Sequence, residues 1–122
     1  MGLKYDFHIV LTGSTAYQHT DYTFDVEVLD DDGVVIDPTI YTDAQYIIGH
    51  VDTGAPISRQ SLGDGIEVVG QLFKVRVPRE DLKHSGTFLE QFVVTDSIGD
   101  VLAPVFQRRI RIKSVMKWNY NA

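Results

Sequence analysis

The first pattern in the sequence that could carry chemistry is an acidic run, Asp30-Asp31-Asp32-Gly33. Clustered carboxylates are ligands for calcium, but a calcium loop places them at alternating positions and adds a distal bidentate acid. Val34 and Ile36 stand where further ligands would have to fall. We therefore predict a solvated turn at this run, in which Gly33 supplies the residue with positive φ.

The histidines and serines form no pattern that is typical of a zinc site or of a nucleophile. His8, His19, His50 and His84 lie far apart, with no spacing of the His-x-x-x-His kind. No serine stands in a Gly-x-Ser-x-Gly elbow, and no Gly-rich loop is placed to hold a phosphate. Cysteine is absent, which excludes disulfides and thiolate metal sites. The sequence predicts a protein that is not an enzyme and has no cofactor.

Glu90 is a further candidate for acid–base chemistry, but it has no partner acid nearby in the sequence. Both faces of the segment 88–94 are largely apolar, which favours a central strand, and Glu90 shares the parity of Phe92. A carboxylate that points inward needs a partner, and Arg76 or Arg108 on a neighbouring strand would serve. The alternative, which we favour, is a twisted strand that leaves Glu90 in water at the edge of the sheet.

The elements that position these residues are predicted to be β-strands. Apolar and polar residues alternate with period two, as in Phe73, Val75 and Val77 against Lys74 and Arg76. The strands before residue 63 are expected at Tyr5–Leu11, Asp21–Leu29, Val34–Ile36, Ala44–Val51 and Ile57–Leu62, and the remaining strands follow between Gly63 and Lys113.

One segment, 78–83, has a helical signal, because Pro78 suits a first helical position and acids follow it in the first turn. It is long enough for one turn, which we expect to place Leu82 over the end of the core. The predicted fold is therefore all-β: a single immunoglobulin-like β-sandwich of about eight or nine strands, with one short helical turn. We assign residues 1–113 to the sandwich and residues 114–122 to an extended C-terminal arm.

The composition limits the classes of protein that are possible. A chain of 122 residues with 43% hydrophobic content fits one domain with its own core. No apolar run is long enough to span a membrane, and the N-terminus lacks the features of a signal peptide. The net charge of −6 argues against a nucleic-acid partner, since such binding needs a concentrated basic surface. We expect a protein without membrane or nucleic-acid partners, made in a cytoplasm.

Charge is divided between the two halves of the chain. Residues 5–58 contain ten acids and no Lys or Arg, whereas residues 59–122 contain ten Lys or Arg and seven acids. Two interpretations stay open. The acidic half of one subunit meets the basic strand of another, or the two halves fold together and their charges cancel locally.

The C-terminal part carries the predicted partner-binding residues. Arg109, Arg111 and Lys113 alternate with apolar residues along the last strand, and should point outward. In the arm, three large side chains alternate with polar residues and would form an exposed apolar stripe, which is typical of an interaction surface. These arm residues are Met116, Trp118 and Tyr120.

The order of several strand and turn motifs resembles the immunoglobulin-like domains of tailed-bacteriophage virion proteins, typified by the N-terminal domain of siphophage baseplate upper proteins. The motifs are the segments 21–28, 31–33, 63–68, 73–77, Leu82, 86–88 and 92–96, and the resemblance extends from Leu11 to Lys113. It implies a β-sandwich that attaches to other virion proteins and has no catalytic residues. Family members often present fibre modules beyond this domain, and we expect none here because the sequence ends at Ala122.

The resemblance favours a structural protein of a phage virion. It would be an adaptor or decoration subunit that joins neck, tail, baseplate or capsid components in multiple copies, with other virion proteins and copies of itself as partners. The alternative is a carbohydrate-binding or host-receptor-binding module. Its aromatic platform would be Trp118 with Tyr120, or Tyr17 with Tyr22 and Tyr41.

Overall fold

The protein is almost entirely β-structure, as predicted. The computed structural model describes residues 15–30, 32–98 and 106–115, together with the backbone of residues 8–13. Its strands are β1 (His8–Gly13), β2 (Tyr22–Leu29), β3 (Asp43–His50), β4 (Pro56–Leu62), β5 (Gly65–Val69), β6 (Leu72–Val77), β7 (Gly86–Thr95) and β8 (Phe106–Ile112). Among the described residues, no helix is long and apolar enough to cross a membrane.

The eight strands form one curled sheet in the order β1-β2-β6-β5-β4-β3-β7-β8. The sheet folds over between β5 and β4, so that β1, β2, β6 and β5 face β4, β3, β7 and β8. Phe24 on β2 meets Tyr46 on β3 with ring centroids 4.8 Å apart, and Phe73 on β6 meets Phe92 on β7 at 5.4 Å. These contacts join the two layers of an immunoglobulin-like sandwich, whose strand order is the one expected for that fold.

Alternation along the strands separates the core from the surface. In β2, β6 and β7 every second side chain is buried, and the residues between them are more exposed. The core follows the predicted parity: its members include Phe24, Val26, Phe73, Val75, Val77, Phe92, Val94 and Ile112. Burial of one face is what fixes each strand's register, since a shift by one residue would turn the apolar set toward water.

A tight turn closes one side of the sandwich. β4 and β5 pair in parallel for two residues, Ser61 with Gly65 and Leu62 with Ile66. Gly65 has φ +94°, and a Cβ atom at this position would lie 2.4 Å from Cγ of the buried Gln60. A residue without a side chain is therefore required where the chain passes from one layer to the other.

The opposite side is closed by residues 15–18, which leave β1 and cross to β8. The backbone N–H of Lys113 donates to the carbonyl of Ala16 at 3.0 Å, and the N–H of Gln18 donates to the carbonyl of Lys113 at 2.8 Å. The bridge between Tyr17 and Lys113 is parallel. Strand β1 ends at Gly13, whereas the predicted strand ended at Leu11. The chain changes layers after Gly13.

The structure differs from the prediction in two respects within the segment 34–40. The expected strand Val34–Ile36 is reduced to a single bridge between Leu29 and Val35. It is followed by a 3-10 turn, Pro38–Ile40, which the sequence analysis did not predict. Asp37 explains both differences, because its carboxylate accepts the backbone N–H of Thr39 and so begins a helical turn in place of further sheet pairing.

The predicted helical turn is present as a 3-10 turn, Arg79–Asp81, and the fully buried Leu82 follows it. Asp21, just before β2, holds this turn in place. Its carboxylate accepts Nη2 of Arg76 at 3.0 Å and the backbone N–H of Arg79 at 2.9 Å. These hydrogen bonds, with that to Arg76 the largest effect, lower the pKa of Asp21 to about 2.

Glu90 lies inside the core, so the edge position that the sequence analysis favoured is wrong. It is 2% exposed and is held by two side chains. The hydroxyl of Tyr46 donates to its Oε1 at 2.7 Å, and Nε of Arg108 donates to its Oε2 at 2.6 Å. Arg108 enters from β8 with half of its side chain in water and its guanidinium 5.2 Å from the ring centroid of Phe106. The alternative that named Arg108 as a partner is therefore correct.

The buried carboxylate changes the acidity of its neighbours. Burial and then the negative charge of Glu90 raise the pKa of Tyr22 to about 12. Burial, the same charge and the hydrogen bond to Glu90 raise the pKa of Tyr46 still further. Both phenols therefore stay protonated at neutral pH, which keeps the hydroxyl of Tyr46 available as a donor.

Asp21 should make folding sensitive to acid. Because its pKa is lower in the folded chain than the ordinary 3.8, its contribution to stability is present above about pH 4 and is lost as the pH falls toward 2. We expect the free energy of unfolding of Asp21→Asn to change less than that of the wild type between these pH values. Urea titrations across this range measure the difference. Asp52→Asn is the control, and an equal response of both variants would contradict the prediction.

Loss of Arg108 should destabilise the fold more than neutralisation of Glu90. Arg108→Ala leaves a buried carboxylate with one donor and should cost roughly 3 kcal/mol, whereas Glu90→Gln keeps the shape, removes the charge and should cost about 1 kcal/mol. In the Glu90→Gln background, Arg108→Ala should cost much less than in the wild type. A double-mutant cycle by urea denaturation measures this coupling, and additive effects would show that the pair does not interact.

Candidate protein-interaction surface

The basic residues of β8 lie where the alternation placed them. Phe106, Ile110 and Ile112 are buried, while Arg109, Arg111 and Lys113 are exposed on the outer side of the sandwich. We call these three residues the basic stripe. Their orientation follows from the pairing of β8 with β7, in which Arg111 lies opposite Thr87 and Arg109 opposite Leu89.

The basic stripe is not neutralised within the described part of the chain. Its cross-strand neighbours on β7 are uncharged, and no described Asp or Glu forms an ion pair with any of the three residues. Other cations are paired: Lys74 with Asp25 at 3.4 Å, and both Arg76 and Arg79 with Asp21. Local cancellation between the two halves of the chain therefore occurs at β6 and at the 3-10 turn Arg79–Asp81 but, among the described residues, not at β8.

The outer face of the β4-β3-β7-β8 layer combines this charge with apolar area. A shallow depression of about 200 Å³ is lined by Ile47, Leu89, Arg59 and Gln107, among others. Ile47 and Leu89 are half-buried although they point outward. An apolar centre with a polar, cationic rim is the usual arrangement of a protein interface. The sequence analysis did not identify Ile47, Leu89 or Arg59; the signal for Leu89 was the apolar character of both faces of the segment 88–94.

The other half of the predicted partner site lies outside the described residues. Met116, Trp118 and Tyr120 belong to this part of the chain, so the docking of the arm stays a prediction. The boundary between sandwich and arm at residues 113 and 114 also stays a prediction.

One of the two aromatic platforms proposed for sugar binding is wrong. Tyr22 and Tyr41 are buried in the core, and Tyr17 alone of that set is exposed. Tyr22 packs against Phe24 with ring centroids 5.0 Å apart, because both residues belong to the apolar face of β2. The other platform, Trp118 with Tyr120, lies outside the described residues.

A larger groove of about 620 Å³ crosses the opposite layer, over β2, β6 and β5. Its charged residues come from three strands and alternate in sign: Asp25, Lys74, Glu67 and Arg76. Lys74 and Arg76 already have carboxylate partners in the chain, and Phe24, the aromatic residue of the lining, is buried. The groove therefore offers a ligand no free cation and no exposed ring, and Glu67 is the charged residue of its lining that forms no ion pair among the described residues.

The remaining polar clusters have structural roles. Asp30, in the acidic run, accepts the backbone N–H groups of Asp32 and Val34 and so forms the predicted turn. Ser58 is buried and donates to Asp81 at 2.8 Å, while Gln60 donates to Ser58 at 2.9 Å, with no histidine in this chain of hydrogen bonds. Across the residues that the structure describes, no three His, Asp or Glu side chains come together in a way that could hold a metal.

Comparison with known proteins gives similarity at the level of fold. No family model and no curated protein matches the sequence. Among solved structures, the chain is similar to CopC from Methylosinus trichosporium OB3b, with 11% sequence identity and a TM-score of 0.53. The match covers 91% of this chain and 97% of CopC, so the two share an arrangement of strands over a whole domain. At this identity, the similarity supports the fold and not a shared function.

Proposed function

We propose that this chain is a non-enzymatic structural protein of a tailed bacteriophage virion. It would be an adaptor or decoration subunit, present in multiple copies, that joins neck, tail, baseplate or capsid components. The observation that carries the proposal is the basic stripe, Arg109, Arg111 and Lys113, which is exposed and without an acidic partner among the described residues. The order of strand and turn motifs, which resembles that of virion immunoglobulin-like domains, indicates the kind of assembly.

An acidic protein surface is the partner that suits this stripe. Complementary charge speeds encounter and fixes the relative orientation of two proteins. Nucleic acid suits it less well, because a chain of net charge −6 repels a polyanion overall. Ile47 and Leu89, which lie on the same outer face, would provide apolar contact beside the charges.

Carbohydrate binding is the weaker candidate. Sugar-binding surfaces stack rings on exposed aromatic faces, and two of the three tyrosines of one candidate platform are buried. Titration with a panel of surface glycans should leave the fluorescence of Trp118, the one tryptophan of the chain, unchanged. A saturable response to one glycan that is lost in Trp118→Ala would favour a receptor-binding module over the virion role.

Charge reversal at the stripe should reduce incorporation into particles without unfolding the protein. Arg109→Glu should lower the number of copies per particle by about tenfold, which corresponds to about 1.4 kcal/mol of binding free energy. Quantitative mass spectrometry of density-purified particles measures the copy number, and a melting curve confirms the fold. Binding to the particle should also weaken as salt rises, because exposed charges are screened.

The matched control is Lys83→Glu, which makes the same change in charge at an exposed lysine outside the stripe. This variant should be incorporated into particles in the same number of copies as the wild type. Equal losses in both variants would indicate a nonspecific effect of net charge, and absence of the wild-type chain from the particles would contradict the virion role itself.

A further inference from the structure

Among the residues that the structure describes, the edge of β8 that faces away from β7 is covered at one end and open along the rest. At Lys113 the backbone N–H and carbonyl both bond to the segment 16–18, on the side away from β7. Backbone groups of alternate residues in a strand point to the same side. Those of Gln107, Arg109 and Arg111 therefore also point away from β7, and no described strand pairs with them.

The core is less well sealed along this open part. Ile112, beside the covering segment, is fully buried, whereas Ile110 is 9% exposed and Phe106 is 8% exposed. Of the three core residues on the inner face of β8, Ile110 and Phe106 are therefore the more exposed. A further strand along residues 107–111 would both satisfy the backbone groups and cover these side chains.

The parity of β8 specifies the side chains of such a strand. Residues that face each other across a strand pair share one side of the sheet, so the residues opposite Arg109 and Arg111 lie on the outer face. Two carboxylates, two residues apart, would neutralise these cations. The residue between them would lie on the inner face beside Ile110 and should be apolar. The edge therefore matches an acidic–apolar–acidic segment.

We propose that the edge of β8 at residues 107–111 binds an acidic, extended segment of a partner virion protein by strand addition. The inference rests on the proposed function for the identity of the partner, and it adds the mode of binding. Strand addition obtains affinity from main-chain hydrogen bonds and specificity from alternate side chains.

A second copy of this chain does not supply the segment. The strand β1 contains no acid, β4 contains Arg59 and no acid, and β5 contains the single acid Glu67. None of these three strands, of which β1 is at the end of the sheet and β4 and β5 pair with each other over only two residues, offers acids at alternate positions, so the charge of β8 favours a different protein.

Amide hydrogen exchange tests the inference residue by residue. The probe is a synthetic peptide, Thr-Val-Glu-Val-Glu-Val-Thr, added to the full chain at low salt. Exchange at the amides of Gln107, Arg109 and Arg111 should slow by about tenfold, because each gains a hydrogen bond. The amides of Ile110 and Lys113 should not change, since they already bond to β7 and to Ala16. The same peptide with Lys in place of Glu should give no protection.

A substitution at Gln107 separates the main-chain contribution from charge. Gln107→Pro removes the N–H that faces the open edge, a position where an edge strand tolerates proline, and leaves every charge in place. It should lose protection at residues 109 and 111, whereas Gln107→Ala should keep it. If the proline variant unfolds, a peptide N-methylated at alternate positions serves instead: it lacks the N–H groups that would donate to the carbonyls of β8, and it should not protect.

The outcomes distinguish the inference from the function on which it rests. Arg109-dependent incorporation into particles, without protection of these amides by the acidic peptide, would overturn strand addition and leave the virion role. Protection by the peptide, in a chain that is absent from particles, would support strand addition and contradict the virion role. Equal protection by the Lys peptide, or stronger protection by single-stranded DNA, would overturn the acidic protein segment as the partner.

Discussion

The buried carboxylate of Glu90 is the constraint on which the rest of the structure depends. It lies in the core with Tyr46 of β3 and Arg108 of β8 as its two partners. An unpaired charge in this position would cost several kcal/mol, so the three strands must keep the register that brings these side chains together. That register decides which way the neighbouring residues point. A shift of β8 by one residue would place Arg109 against the core and remove the basic stripe from the surface.

Closure of the sandwich then determines which backbone groups stay available. The turn at Gly65 joins the two layers on one side, and the segment 16–18 joins them on the other by pairing with Lys113. This second closure is short, and at residues 107–111 it leaves the edge of β8 that faces away from β7 without a described neighbour. Exposed edges of this kind are commonly protected by charged side chains, which discourage nonspecific pairing. The cations of the basic stripe lie along such an edge.

The two layers differ in whether their outward charged residues form ion pairs. On the layer that contains β2 and β6, acids from the first half of the chain pair with bases from the second half, as in Asp25 with Lys74. On the layer that contains β8, the outward residues of the neighbouring strand β7 are uncharged. The division of charge along the sequence thus becomes a division between two faces. Exposed pairs of the first kind contribute little to stability. The cations of the basic stripe have no acidic partner among the described residues.

Period-two alternation was enough to predict the all-β class, most strand positions, the inward set of β2 and β6, and the outward direction of Arg109, Arg111 and Lys113. Such patterns are local, and the sequence shows them directly. The burial of Glu90, the 3-10 turn after Asp37 and the burial of Tyr41 were missed or assigned differently. The sequence named Arg108 as one possible partner of Glu90, but only the packed sheet shows whether a side chain that points inward meets a donor. Likewise, the open edge of β8 depends on which segment crosses to cover it. Contacts between residues far apart in the chain decide both features, because burial and pairing arise when the layers close and not within any one strand.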